Sequence, residues 1–276
     1  MAITSKKLLA LFALSLALFA ASPAFAGGKA DEEISERSMF SRFFDGFGNL
    51  GVGVVFVSNP EFIGSDGNDE DFLPLIQGQY NLSENDSLYL RGAKLGYAHA
   101  FSSHLQAGIE TTTGGSRDED EDARLAGMGD IDSAVEVGPW VKWRSKSDFS
   151  VKGALMFDVA GGHGGYVGDL KIAQKLTSGK GPGFEVYAQT HYASADFADT
   201  YFTVTPAQVI AGRPAFNAGS GFYQSDIGAS FHYAVSGDIY LWIDGQVQFL
   251  HGDAKETSVT FDDTQTRAIV GLGYTF

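Results

Sequence analysis

The chain has 276 residues, 44% of them hydrophobic and 13% aromatic, with a formal net charge of −15 and no cysteine. An acidic protein of this kind repels a phosphate backbone, which excludes nucleic acid as a partner. Disulfides are excluded as well, so hydrogen-bonded sheet or packing must hold the fold.

Residues 1–26 begin with Lys6 and Lys7, continue through an apolar run to Ala20, and close on Ala24-Phe25-Ala26. This is the pattern of a cleaved secretory signal. The run is short for a membrane helix and ends at Pro23. Removing 26 of 276 residues leaves a mature chain of 250, with no later window of 18 apolar residues that could form a transmembrane helix. Residues 27–47 form a lead-in in which Phe40, Phe43, Phe44 and Phe47 recur at spacings of three and four, as in a short amphipathic helix. It reads equally as a periplasmic or lumen-docking segment and as a loosely ordered approach to the fold.

From residue 48 the period becomes two. Segments with this character cover residues 50–57, 72–80, 87–91, 94–101, 104–111, 133–144, 149–159, 166–176, 184–192, 222–235, 237–250 and 267–276. In residues 133–144, Val135, Val137, Val141 and Trp143 oppose Glu136 and Lys142. In residues 222–235, Tyr223, Ile227, Ala229, Phe231, Tyr233 and Val235 oppose Gln224, Asp226, Ser230 and His232. A soluble sandwich also alternates, but most of these segments exceed the roughly 5–6 residues of an ordinary strand. Their connectors also alternate between short ones, such as residues 145–148, and long ones, such as residues 113–131 and 193–221.

This pattern predicts an all-β fold: a transmembrane antiparallel up-and-down β-barrel over residues 48–276, with short periplasmic turns and long extracellular loops. In lipid every backbone N–H and C=O must be paired, which a closed barrel achieves. Twelve strands are expected, or as few as ten if residues 87–101 form one bent strand and another segment is lost. Val270, Leu272, Tyr274 and Phe276 then face lipid on the last strand. A terminal aromatic with this alternation resembles the signal read by the barrel-assembly machinery. The expected location is the outer membrane of a Gram-negative bacterium, in contact with lipid and lipopolysaccharide.

Several stretches are more specific: Gly51-Val-Gly-Val-Val with Asn59-Pro60 and Phe62-Ile-Gly-Ser-Asp66; Leu73-Pro-Leu-Ile76; Leu90-Arg-Gly-Ala-Lys-Leu-Gly-Tyr97; Leu125-Ala-Gly-Met-Gly-Asp-Ile-Asp132; Tyr201-Phe-Thr-Val-Thr-Pro-Ala-Gln208; Ala211-Gly-Arg-Pro-Ala215 and Ala218-Gly-Ser-Gly221. Together they resemble the MipA/OmpV family, the MltA-interacting outer-membrane proteins, over most of the mature chain. The resemblance implies a barrel whose founding member is a scaffold between a murein transglycosylase and a peptidoglycan synthase. Other members are discussed as adhesins or in osmotic and antibiotic responses. The implied role is non-enzymatic, scaffolding or surface interaction, with a small-solute channel as the alternative.

The candidate chemistry is sparse, and no catalytic, cofactor or metal site is assigned. The acidic runs 118–122 and 66–71 offer carboxylate oxygens suited to hard cations but lack the ligand spacing of a calcium loop. They read as solvated loop. The inward set mixes signs: Glu110, Glu136, Lys142, Arg144, Lys152, Asp158, Asp169, Lys171, Glu185, Asp226, Asp238 and Asp244. It suits either a selective channel or a salt-bridged, plugged lumen. His104, His191 and His232 with Ser230 are the residues from which a hydrolase would have to be built. No nucleophile elbow accompanies them, and His191 and His232 are expected to face the lumen rather than lipid.

Overall fold

In a computed structural model, residues 47–177 and 182–276 are described. The expected signal peptide and the lead-in up to residue 46 lie outside them. The described residues form a closed antiparallel barrel of twelve strands in which each strand pairs with its sequence neighbours and β1 closes on β12. The strands are β1 (Phe47–Pro60), β2 (Asn68–Asn81), β3 (Asp86–Arg91), β4 (Lys94–Ala100), β5 (Leu105–Thr113), β6 (Val135–Arg144), β7 (Phe149–Asp158), β8 (Tyr166–Lys175), β9 (Gly183–Ala193), β10 (Gly221–Ser236), β11 (Ile239–Leu250) and β12 (Thr264–Thr275). Residues 87–101 therefore form two strands, joined at Gly92 and Ala93.

The alternation has a direct physical result. Side chains at one parity point outward and remain exposed, among them Val54, Ile109, Val141, Leu170, Ile227 and Leu272. The other parity points inward. Closure is in register from Gly51 opposite Thr275 to Ser58 opposite Ala268, which places Val270, Leu272 and Tyr274 outside and Ile269 inside.

Two departures from simple alternation matter. Tyr223 was expected outward, but the ladder to β9 shifts between Phe222 and Gln224. This bulge gives β10 one extra residue and turns Tyr223 inward, where its ring meets Phe197 at 5.0 Å and His191 at 5.9 Å. Asp238 was expected in the lumen but lies in the turn between β10 and β11, where it accepts a hydrogen bond from the outward-facing Tyr274 hydroxyl.

The wall is uneven. β2 pairs with β3 only from Gln77 to Asn81, while its pairing with β1 continues to Asn68. Among the described residues, the nine beyond Gln77, about 30 Å along the strand, thus have a strand neighbour on one side alone. Gly92 N–H donates to the Ile76 carbonyl at the start of this free edge. Two residues on, Pro74 turns its nitrogen to the same side and has no N–H to leave unpaired.

At one end the strands are joined by residues 82–85, 101–104, 145–148, 176–182 and 237–238; this is the turn end. At the other, the loop end, residues 61–67, 114–134, 159–165, 194–220 and 251–263 make the connections. They carry the helices α1 (Ala195–Phe202) and α2 (Gly252–Glu256). Ser194 caps α1, its hydroxyl accepting from Phe197 N–H.

Candidate functional site: a lumen with a closed mouth

The loops fold together over the barrel mouth. Phe197, Ala198, Tyr201 and Phe202 of α1 pack against Val167, Ala193 and Leu250 at the strand tops and Ala254 of α2. A second cluster joins Phe62, Leu125, Met128, Val204 and Val259 from four loops. Each element is short, so its stability comes from this packing rather than from helix propensity.

Two buried arginines tie the lid. Arg213 donates from Nη1 to the Arg124 carbonyl at 2.8 Å, from Nη2 to Ala126 O at 2.9 Å, and from Nε and Nη2 to Gln208 O at 2.9 and 2.7 Å. Arg117 donates to the Tyr201 carbonyl at 2.8 Å. From the wall, Gln265 accepts from Gly64 N–H and donates to the carbonyls of Phe62 and Ser65.

The acidic runs serve this lid or lie in the wall. Glu119 accepts from Gly127 and Gly129 N–H, and Asp122 accepts from Arg124 N–H. Arg124 pairs with both Asp66 and Asp122, which holds both carboxyls below their usual range. These carboxylates remain at the surface while bonded to local partners, and Asn68–Asp71 are strand, not loop. Asp158 likewise organises residues 159–165, accepting from the N–H groups of Ala160, Gly161, His163 and Gly164.

Burial pushes the Glu121 carboxyl up to about 7, and the charges of Asp118, Asp69 and Glu61 act in the same direction. A carboxyl raised on folding stabilises the lid fully below its unfolded value and loses that contribution as pH rises through about 7. Hydrogen exchange of residues 117–125, corrected for intrinsic rate, is therefore expected to show weaker protection at pH 8 than at pH 5.5. Glu121→Gln should flatten that dependence; an unchanged pH profile in the variant would rule out Glu121 as its source.

Below the lid the lumen is a polar network. Glu110 accepts from Tyr89 Oη at 2.8 Å, Lys152 Nζ at 2.7 Å and Lys94 Nζ at 3.2 Å. His191 lies between Asp169, at 2.6 Å from Nδ1, and Asp226, at 3.1 Å from Nε2, while Gln189 and Gln224 donate to Asp226. His163 meets Glu136 at 2.9 Å and packs on Phe197. The Tyr187 hydroxyl lies 3.0 Å from both Asp244 and Gln246, which share its one proton.

The three histidines and Ser230 do not come together. His104 contacts the Arg144 carbonyl, His191 pairs with carboxylates, and His232 packs over Gly183 at the turn end. Several inward residues escaped the sequence reading. Tyr89, Trp140, Met156 and Tyr187 are large enough to suit the outward set but fill the lumen. Their only signal is parity with a neighbouring charge, as with Trp140 two residues before Lys142. Arg117 and Arg213, in aperiodic loops, carry no such signal.

Toward the turn end the lumen opens. Gln79, Arg91, Gln106 and His232 face inward by register and are exposed.

Among solved structures, the NanC porin is similar with a TM-score of 0.43 and 11% identity, over 82% of this chain and 100% of that one. A Salmonella typhi OmpF complex gives 0.39 and 11%, over 84% and 99%. The COG4313 outer-membrane channel of Pseudomonas putida F1 gives 0.37 and 9%, over 90% and 100%. No curated protein matches the chain. The family model described as MltA-interacting protein MipA matches residues 51–276, from within β1 to the last residue, and the chain belongs to the MipA family.

Proposed function

We propose that this is a non-enzymatic outer-membrane barrel that anchors a murein-processing enzyme on its turn side. The closed loop end carries the reading. A barrel sealed there by two apolar clusters and buried arginine is not a wide pore, and its turn end is the side left for a partner. The family description, MltA-interacting protein, supports a murein enzyme as that partner; a peptidoglycan synthase alongside it rests on the family resemblance alone.

Membrane embedding is supported by the outward belt. Ile227 is 63% exposed, Ile109 54% and Leu272 51%. Apolar surface running around a whole molecule is unfavourable in water, whereas hydrocarbon accepts it and a closed sheet satisfies the backbone. The expected signal peptide and terminal aromatic strand fit delivery through the barrel-assembly machinery, with lipopolysaccharide around the loop end.

Folded protein in detergent should show heat-modifiable gel mobility, and pull-downs from solubilised envelopes should recover a cell-wall enzyme. A chain that stays folded and monomeric in plain buffer would defeat the membrane assignment. Absence of any murein enzyme from the pull-down would defeat the scaffold. A second reading, a small-solute channel, is favoured by the solvent-exposed turn half of the lumen. Steady single-channel openings in planar bilayers would select it.

A further inference from the structure

Three lysines on adjacent strands stand in one row of the inner wall. Lys142 of β6 is opposite Lys152 of β7, and Lys152 is opposite Lys171 of β8. Like charges directly opposite one another across a sheet are destabilising. The surroundings relieve two of the three. Lys152 is bonded to Glu110, which it shares with Lys94. Lys171 lies 3.6 Å from the centre of the Tyr187 ring, with Glu185 and Asp244 as its nearest opposing charges.

Lys142 has no carboxylate within ion-pair distance among the described residues. Its charged neighbours are Arg144, Lys152 and Arg91, with Glu185 the opposing charge. Arg144 follows on the same face and is likewise without an ion pair among the described residues. The buried Trp140 on that face packs edge-on against Tyr89. In a protein of net charge −15, this wall gathers donors and positive charge that its own carboxylates do not neutralise. It lies beside the exposed inward residues Arg91 and Gln106, so a solute entering at the turn end reaches it.

We infer that the turn half of the lumen is an anion-binding vestibule, in which a small solute bearing carboxylate or phosphate oxygens is held between Lys142, Arg144 and Lys152. Charge-assisted hydrogen bonds to such oxygens are stronger than neutral ones, and a site walled by protein screens them less than open water. An oxyanion here also relieves the repulsion within the lysine row. Site and ligand class stand apart from the murein partner proposed above, since a barrel that only docks an enzyme has no need of them.

The test is calorimetric titration of the detergent-solubilised mature chain with citrate and, separately, tripolyphosphate, with sucrose as the uncharged control. Saturable binding of at least one anion, weakening with added salt, is expected. Binding of citrate alone, or of tripolyphosphate alone, assigns the site to carboxylates or to phosphates. Lys142→Gln/Arg144→Gln should weaken binding by roughly tenfold or more. Lys146→Gln, in the exposed turn, should leave it unchanged. The double variant relieves like-charge repulsion, so it should keep heat-modifiable mobility and melt no lower than wild type. Absence of binding by wild type, equal binding by the double variant, or equal loss in Lys146→Gln would overturn the inference.

Discussion

Gly138→Ala should abolish the folded barrel. A Cβ built at Gly138 lies 1.8 Å from the Leu155 carbonyl oxygen and 2.9 Å from the Met156 Cα. Both obstacles are backbone of β7, so no side-chain rotation relieves the contact. The ladder between β6 and β7 is already irregular there: it pairs Val137 with Phe157, then resumes at Trp140 with Ala154, leaving out Gly138 and Pro139. The requirement is for space rather than for an unusual backbone angle, since Gly138 is not among the positive-φ glycines. Separating the strands would break the ladder bonds on either side of Gly138, and in the proposed membrane setting the freed groups would find no water, so a loss above about 4 kcal/mol is expected. On unheated gels the variant should run at its fully unfolded position. Gly153→Ala is the control, because the nearest atom to its Cβ is the Asp169 carbonyl oxygen at 3.9 Å. It should fold normally and gain about 0.5–1 kcal/mol from reduced chain entropy. Normal folding of Gly138→Ala would mean that β6 and β7 do not approach as described.

The outer surface was legible in the sequence because each outward residue answers to one solvent and strand geometry alone sets the period. Val270, Leu272 and Tyr274 could be placed without knowing what β12 pairs with. Inward residues answer to one another, which parity does not reveal. Trp140 and Met156 carry apolar side chains of the kind found on the outer face, yet they are buried in the lumen. Tyr223 was misplaced because one extra residue reverses parity, and a bulge is a property of the pairing. The acidic start of β2, Asn68–Asp71, was invisible as strand because it has none of the apolar alternation used to find strands. The lysine row needs three strands in register to exist. Lys142, Lys152 and Lys171 are separately visible as inward charges, but nothing local says they are neighbours. The lid was illegible for the same reason at longer range, its central bonds joining residues 87 and 89 positions apart.

Arg213→Met should open the lid while leaving the barrel closed. The guanidinium makes four hydrogen bonds to the carbonyls of Arg124, Ala126 and Gln208, and the residue is 3% exposed. Methionine fills similar volume without donors, so three part-buried acceptors lose their partner. Each orphaned carbonyl costs about 1–3 kcal/mol, and together they amount to roughly 3–5 kcal/mol, since water can reach some of them once the loop shifts. The cost falls on the lid because the carbonyls belong to residues 124–126 and 208, outside the strands. The ladder bonds of β1 to β12 do not depend on them. Amide exchange in residues 124–128 and 203–217 should accelerate roughly a hundredfold or more, with β10 and β11 unchanged. Arg124→Met is the comparison. Its partners Asp66 and Asp122 are at the surface, and its guanidinium stacks on the Phe261 ring at 3.6 Å, so a change within about 1 kcal/mol is expected. If the lumen is then tested in planar bilayers, Arg213→Met should conduct more than wild type, because removal of the lid leaves the turn-end vestibule continuous with the loop end. Wild-type exchange rates in the variant would show that the apolar clusters hold the lid without Arg213.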